Sequence, residues 1–249
     1  MTLGPLPARP SATTAAEHAL RDAILSGELA PGDRLPPERA LSLKLGVSRL
    51  TLRAALSTLS ATGLLSVRQG SGYTVRDVRA TGGADLLPGI VELARARGSL
   101  PEALGDLLRL RRHLAAAVLD ALAERAPSAA ARRAVHAAVD AFAVAAATGD
   151  PEAIALADLA VVRSLLDATN SMVLRVCLNP IVAVVQGEAR LRAAIYAEPE
   201  GNVAGWRALA AWLDHPSAAQ IPILLGVLAD RDRSTLQRLR RDARRERKS

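Results

Sequence analysis

The sequence predicts a mainly α-helical protein. An N-terminal winged helix-turn-helix, three helices and a two-stranded wing, is joined to an all-α helical bundle. Half of the 249 residues are hydrophobic but only 2% are aromatic, so the core must be built from Leu, Val, Ile and Ala, a mixture that favours helix. Apolar residues recur at helical spacing through most of the chain, punctuated by Gly and Pro. The exception is LLSVR and GYTVR, which alternate on either side of Gln69-Gly70-Ser71-Gly72 and read as two short strands and a hairpin tip.

Taken in order, residues 1–11 are Pro-rich and predict a disordered tail. Ala16, Leu20, Ala23 and Ile24 predict a first helix from about Thr14 to Ser26, stopped by Gly27. Pro31-Gly32 breaks the chain before a second helix, whose first turn takes Pro37 and Glu38. Leu41 and Leu45 face inward on it, and Gly46 closes it. Ser48 caps a third helix, with Leu52, Ala55, Leu56 and Leu59 on one face. Leu50, Arg53, Ala54 and Ser57 lie on the other. This order is that of a winged helix-turn-helix over 12–76, a module that puts its second motif helix into the DNA major groove.

Residues 77–85 carry charge, two glycines and no periodicity, and are expected to be a linker. Residues 86–249 then read as one all-helical domain with a basic C-terminal tail; that it binds an effector and dimerises is what the family resemblance given below implies. A linking helix ends at Gly98, and further helices open at Ser99, Pro127-Ser128 and Asp150-Pro151. Ser171–Ala197 reads as one helix, disturbed at Pro180 and Gly187. Three more are expected from near Pro199, Pro216 and Asp230.

The formal charge is +7. That excess suits a polyanion such as DNA, although an almost all-Arg basic set equally fits a base-composition bias. A single cysteine, Cys177, excludes an internal disulfide and a Cys-based zinc site. No signal peptide or membrane span is legible, so a cytoplasmic protein without a membrane partner is expected. GxSxG, P-loop and HExxH motifs are all missing, so no enzyme is expected.

The run PGDRLPPERALSLKLGVSRLTLRAALSTLSATGLLSVRQGSGYTV resembles the N-terminal domain of the GntR family of bacterial transcription regulators. The resemblance implies DNA contacts from Arg39, Arg49, Arg53 and the Gln69-Gly70 wing tip. Arginine supplies a planar fork for guanine O6 and N7 or for a phosphate. Arg49 and Arg53 lie one turn apart. Ser48 and Thr51 can donate to phosphates at the helix N-terminus. Two positions depart from the family pattern. Pro37 stands where many relatives have a capping Ser, and Leu50 where a polar residue is common. Leu50 is expected to pack on a thymine methyl.

The second half resembles the FadR subgroup's FCD effector domain. Many members hold a divalent metal between one Asp and three His. Asp158 matches that Asp, but the His places fall at Val162, near Trp206 and among Leu228, Ala229 and Asp230. No metal and no cofactor are therefore expected. Asp158 should be buried and in need of a partner, with Arg111 a reasonable one. The pair marks either a ligand pocket, with Val162 and Trp206 beside it, or a structural ion pair left from a lost metal site. Trp206 and Trp212 read as core or interface.

The resemblance implies a homodimer reading a short palindromic operator in double-stranded DNA, modulated by a small-molecule effector such as a fatty acyl-CoA or an organic acid. The alternative is an effector-free constitutive repressor or architectural protein. For the basic RLRRDARRERKS end, both a DNA contact and a solvated helix remain open.

Overall fold

The computed structural model describes residues 11–68 and 72–246, so the 1–11 tail, but for Ser11, and the Gln69-Gly70 tip lie outside the described residues. The chain divides into two compact units between Ala96 and Arg97.

In the first unit, helix α1 (Ala12–Ser26) is capped by the Ser11 side chain and ends at Gly27, which takes the left-handed φ of 81° that a β-carbon would disfavour. Helices α2 (Glu38–Leu45) and α3 (Arg49–Ala61) follow. Pro37 sits one position earlier than the sequence reading places it. It is the N-cap of α2, extended at ψ 141° with no side-chain bond. Its carbonyl accepts from Ala40 and Leu41.

Strands β1 (Leu65–Arg68) and β2 (Gly72–Val75) pair antiparallel with Leu65 opposite Val75. The loop before α2 joins them: Leu35 N donates to the Tyr73 carbonyl and Val75 N to that of Asp33. The small core beneath is aliphatic, with Leu52, Leu59 and Leu64 fully buried among Leu20, Ile24, Leu41 and Val75. The predicted inward face of α3 is the one observed.

The aperiodic 77–85 stretch is structured. Asp77 caps a one-turn helix α4 (Val78–Thr81), and a 3-10 turn over Ala84–Leu86 leads into α5 (Leu87–Ala96). Leu86 joins the winged-helix core. Helix α5 lies against α1, where Arg21 donates to Glu92 at 2.7 Å. Gly89 provides the room: a β-carbon there would come within 2.7 Å of Arg21 Nε.

The second unit is all helical: α6 (Leu100–Glu124), α7 (Ala129–Thr148), α8 (Pro151–Thr169), α9 (Met172–Gly187), α10 (Ala189–Ile195), α11 (Pro199–Asp214) and α12 (Ile221–Glu246). Helix α7 packs on α8 and α11, and α12 packs on α6 and α10. The expected long helix after Ser171 is two helices meeting at 92°. The break falls at Glu188, whose extended backbone leaves the helix while its side chain caps α10. Pro180 is accommodated inside α9. The two helices expected from Pro216 and Asp230 are instead the single helix α12, preceded by a 3-10 turn over Ala218–Gln220. Asp230 lies inside α12, which runs unbroken through it. Among the described residues, no single helix is long and apolar enough to cross a membrane.

Candidate DNA-reading face and effector cavity

Helix α3 presents its N-terminal turn to solvent. Ser48 Oγ accepts from Thr51 N at 3.0 Å and lies 2.7 Å from Thr51 Oγ1, so the two hydroxyls form one polar corner. Arg49 is exposed in the first turn, and Leu50 next to it is 80% exposed. An isobutyl group standing in water loses contacts that a partner surface would restore. Arg39 is exposed in the first turn of α2.

Arg53, one turn beyond Arg49, is braced. Its Nε donates to Glu38 Oε2 at 2.7 Å, across from α3 to α2, while the side chain stays 66% exposed. The Glu38 hydrogen bond and charge raise the Arg53 pKa, holding the guanidinium protonated. In the sequence, Glu38 reads only as a favourable charge at the start of α2, and not as this brace. The available signal was a carboxylate in the first turn of one motif helix with an arginine on the outer face of the next.

The second unit encloses a cavity of about 220 Å³. Its wall is mostly aliphatic, including Val162, Leu165, Leu178, Ile181, Leu224 and Leu228. The polar exceptions lie together, and all four residues expected at a pocket, Arg111, Asp158, Val162 and Trp206, line it.

The expected Asp158–Arg111 pair is not formed. Arg111 instead donates to Asp232, which Arg112 also meets at 3.1 Å. The physical reason is the continuity of α12, which carries Asp232 to the face of α6 that bears both arginines. Asp158 is bonded by neutral donors. Trp206 Nε1 donates to one oxygen at 2.7 Å and the Tyr196 hydroxyl to the other at 3.0 Å.

Burial pushes the Asp158 carboxyl upwards, against the pull of the Trp206 and Tyr196 hydrogen bonds and the charges of Arg111 and Arg231. Burial likewise pushes up the Tyr196 phenol, helped by Asp158. An indole N–H can only donate and a carboxylate can only accept. That complementarity was the signal for Trp206 at Asp158. Nothing in the sequence pointed to Tyr196. Trp212 is core: it is buried, with Nε1 donating to the Ser217 carbonyl at 3.1 Å.

These residues do not fit the metal of the FCD resemblance. The Asp158 oxygens already face an indole and a phenol, and Val162, Trp206 and Leu228 supply no lone-pair nitrogen. No group of three or more His, Cys, Asp and Glu side chains among the described residues could hold a metal ion.

Residues 12–75 match the family described as bacterial regulatory proteins, gntR family. Over 65 residues the chain is 57% identical to the HTH-type transcriptional regulator Mce2R of Mycobacterium tuberculosis, covering 26% of this chain and 27% of that one. Over 115 residues it is 33% identical to the fatty acid metabolism regulator protein of Serratia proteamaculans, covering 46% of this chain and 47% of that one. The chain thus matches less than half the length of these curated relatives. Among solved structures, that of Lar, described as controlling expression of the Listeria monocytogenes agr system, aligns with a TM-score of 0.58 at 16% identity. That alignment covers 94% of this chain and 99% of Lar, which shows a shared fold through both units.

Proposed function

Residues 12–75 form a helix-turn-helix domain of the gntR family, and on that footing we propose that the chain is a sequence-specific DNA-binding transcription regulator. The observation that carries the reading is the solvent-facing N-terminus of α3. There Arg49, Leu50 and Thr51 stand free of the core and Arg53 is braced by Glu38. A helix presented in this way enters the major groove tip-first, with Arg49 and Arg53 on bases, Ser48, Thr51 and Arg39 on phosphates, and Leu50 on a thymine methyl. The Gln69-Gly70 wing tip completes the contacts.

The working form is a homodimer on a short palindrome, the protein two-fold matching that of the DNA. Its place of action is the cytoplasm, where the operator is. Residues 12–76 are the reader, 77–96 pack back on it in place of the expected 77–85 linker, and the chain from Arg97 on, shorter than the expected 86–249, is the dimerising, effector-binding part. The effector is a small molecule held in the cavity around Asp158. A preformed apolar chamber with converging polar groups favours this over an effector-free repressor or architectural protein. The named regulators and the family support regulation and not catalysis.

Electrophoretic mobility shifts on duplexes chosen from a random pool test the reading. Arg49→Ala should cost about 1–3 kcal/mol on the chosen duplex. It should cost much less on scrambled DNA. Equal losses on both would reduce Arg49 to a phosphate contact. Leu50→Thr should flatten the preference at one base position, and an unchanged base profile would remove the thymine contact.

A further inference from the structure

One arginine on the cavity wall has no carboxylate on it. Arg231 of α12 is half-buried and donates to the amide oxygen of Asn202, a neutral partner. Among the described residues no carboxylate forms an ion pair with it. Asp158 likewise has no ion pair among the described residues, and the other charges nearby are paired. Arg111 and Arg112 share Asp232, Arg238 pairs with Glu198, and Arg192 with Glu152.

Arg111 and Arg231 on the cavity wall, with Arg112 bonded to Asp232, therefore stand against two carboxylates, Asp158 and Asp232. One positive charge is left over. A half-buried guanidinium without an anion is a costly arrangement unless something supplies the anion. The backbone makes room for this side chain. Gly201 and Gly205 lie one turn apart on α11, and β-carbons there would stand 3.3 and 3.9 Å from Arg231 Nη1. Arg111 Nε is a further buried donor with no acceptor among the described residues.

Resting on the effector reading above, we propose that the cavity is a metal-independent site for a small apolar monocarboxylate, with Arg231 as its carboxylate anchor. The anion balances the surplus positive charge. The tail lies among Val162, Leu165, Leu178, Ile181, Leu224 and Leu228. A cavity of about 220 Å³ is moderately larger than the roughly 150 Å³ that takes a benzene. It therefore suits a free acid of roughly ten non-hydrogen atoms. A coenzyme A thioester lacks the carboxylate and brings several negative charges where one is needed. The direct guanidinium contact takes the role that a metal would have had beside Asp158.

Titration calorimetry on the full chain, with octanoate and phenylacetate as probes, tests this. At least one acid should bind at one site per chain, unaffected by EDTA. Octanamide should bind at least about tenfold more weakly than octanoate, because its neutral amide forms no charge-assisted pair with a guanidinium. Arg231→Gln should remove that preference, and Arg231→Lys should keep part of it. Unchanged thermal melting and unliganded DNA affinity show that both variants are folded.

Loss of binding in EDTA, equal affinity for octanamide, full octanoate affinity in Arg231→Gln, or tighter binding of octanoyl-CoA would each overturn the proposal. So would failure of both acids to bind a protein that still binds its selected duplex. If octanoate binds as described but leaves DNA affinity unchanged, the site stands and the regulatory reading of it fails.

Discussion

Asp158 and Arg53 are both ionisable groups held in part by a neighbour that the sequence did not indicate, Tyr196 for the first and Glu38 for the second. Asp158 yields a pH test. Burial raises its folded pKa above the ordinary carboxylate range. The folded state then binds a proton more readily than the unfolded chain does. Its stabilising contribution is fully present below the ordinary carboxylate range and is lost as pH rises through the elevated folded value. Asp232 is shifted the same way by burial, against Arg111 and Arg112.

Asp158→Asn keeps the shape, and the Tyr196 hydroxyl can turn to accept from the new amide. In urea titrations from pH 4 to 8 the variant should lose less stability with rising pH than the parent chain, the remaining slope belonging to Asp232. An identical slope would mean that Asp158 ionises as easily in the fold as outside it. At this scale the sequence was legible where a residue's placement follows from its motif, as for the exposed Arg39, Arg49 and Arg53. It was opaque where a partner arrives from a distant helix, as Asp232 does for Arg111.

At the scale of elements, most helix ends could be read because caps are local chemistry: Ser48, Ser128 and Asp150 hold their N-caps, and Gly27, Gly46 and Gly149 close their helices. The errors arose where packing overrode local signals. Of the two disturbances expected after Ser171, the one at Gly187 is where α9 ends, whereas Pro180 stays inside α9; Asp230 lies mid-helix in α12. The stretch beyond the wing also looked aperiodic, yet Leu86 and the Arg21–Glu92 bond tie it to the winged helix.

Arg21 contacts carboxylates of Glu17 and Glu92 while only 13% exposed, but Glu92 is 43% exposed, so solvent screens the pair. Arg21→Ala should cost about 1 kcal/mol. It should speed amide exchange over Leu87–Ala96 more than over α3, and uniform acceleration would argue against a local tether. In the bundle, Phe142 is fully buried on α7. Phe142→Ala should cost about 3–5 kcal/mol in urea unfolding, and a loss below about 1 kcal/mol would mean that the α7 contacts collapse around the gap.

At the scale of the molecule, the class and order of the parts were legible from periodicity and one hairpin, since these depend on composition more than on pairing. The fold shared with Lar spans both units. In the function proposed here, specificity rests on a few side chains at the tip of α3 and control on the chamber beside Asp158. A ligand there can change DNA affinity only by binding the reading and non-reading states unequally. The most direct measurement of the central claim is selection of bound duplexes from a random pool by the full chain, repeated with Arg49→Ala and Arg53→Ala together. The expected result is a short inverted repeat that the double variant no longer enriches. No enrichment by the parent chain, or the same repeat recovered by the variant, would contradict it.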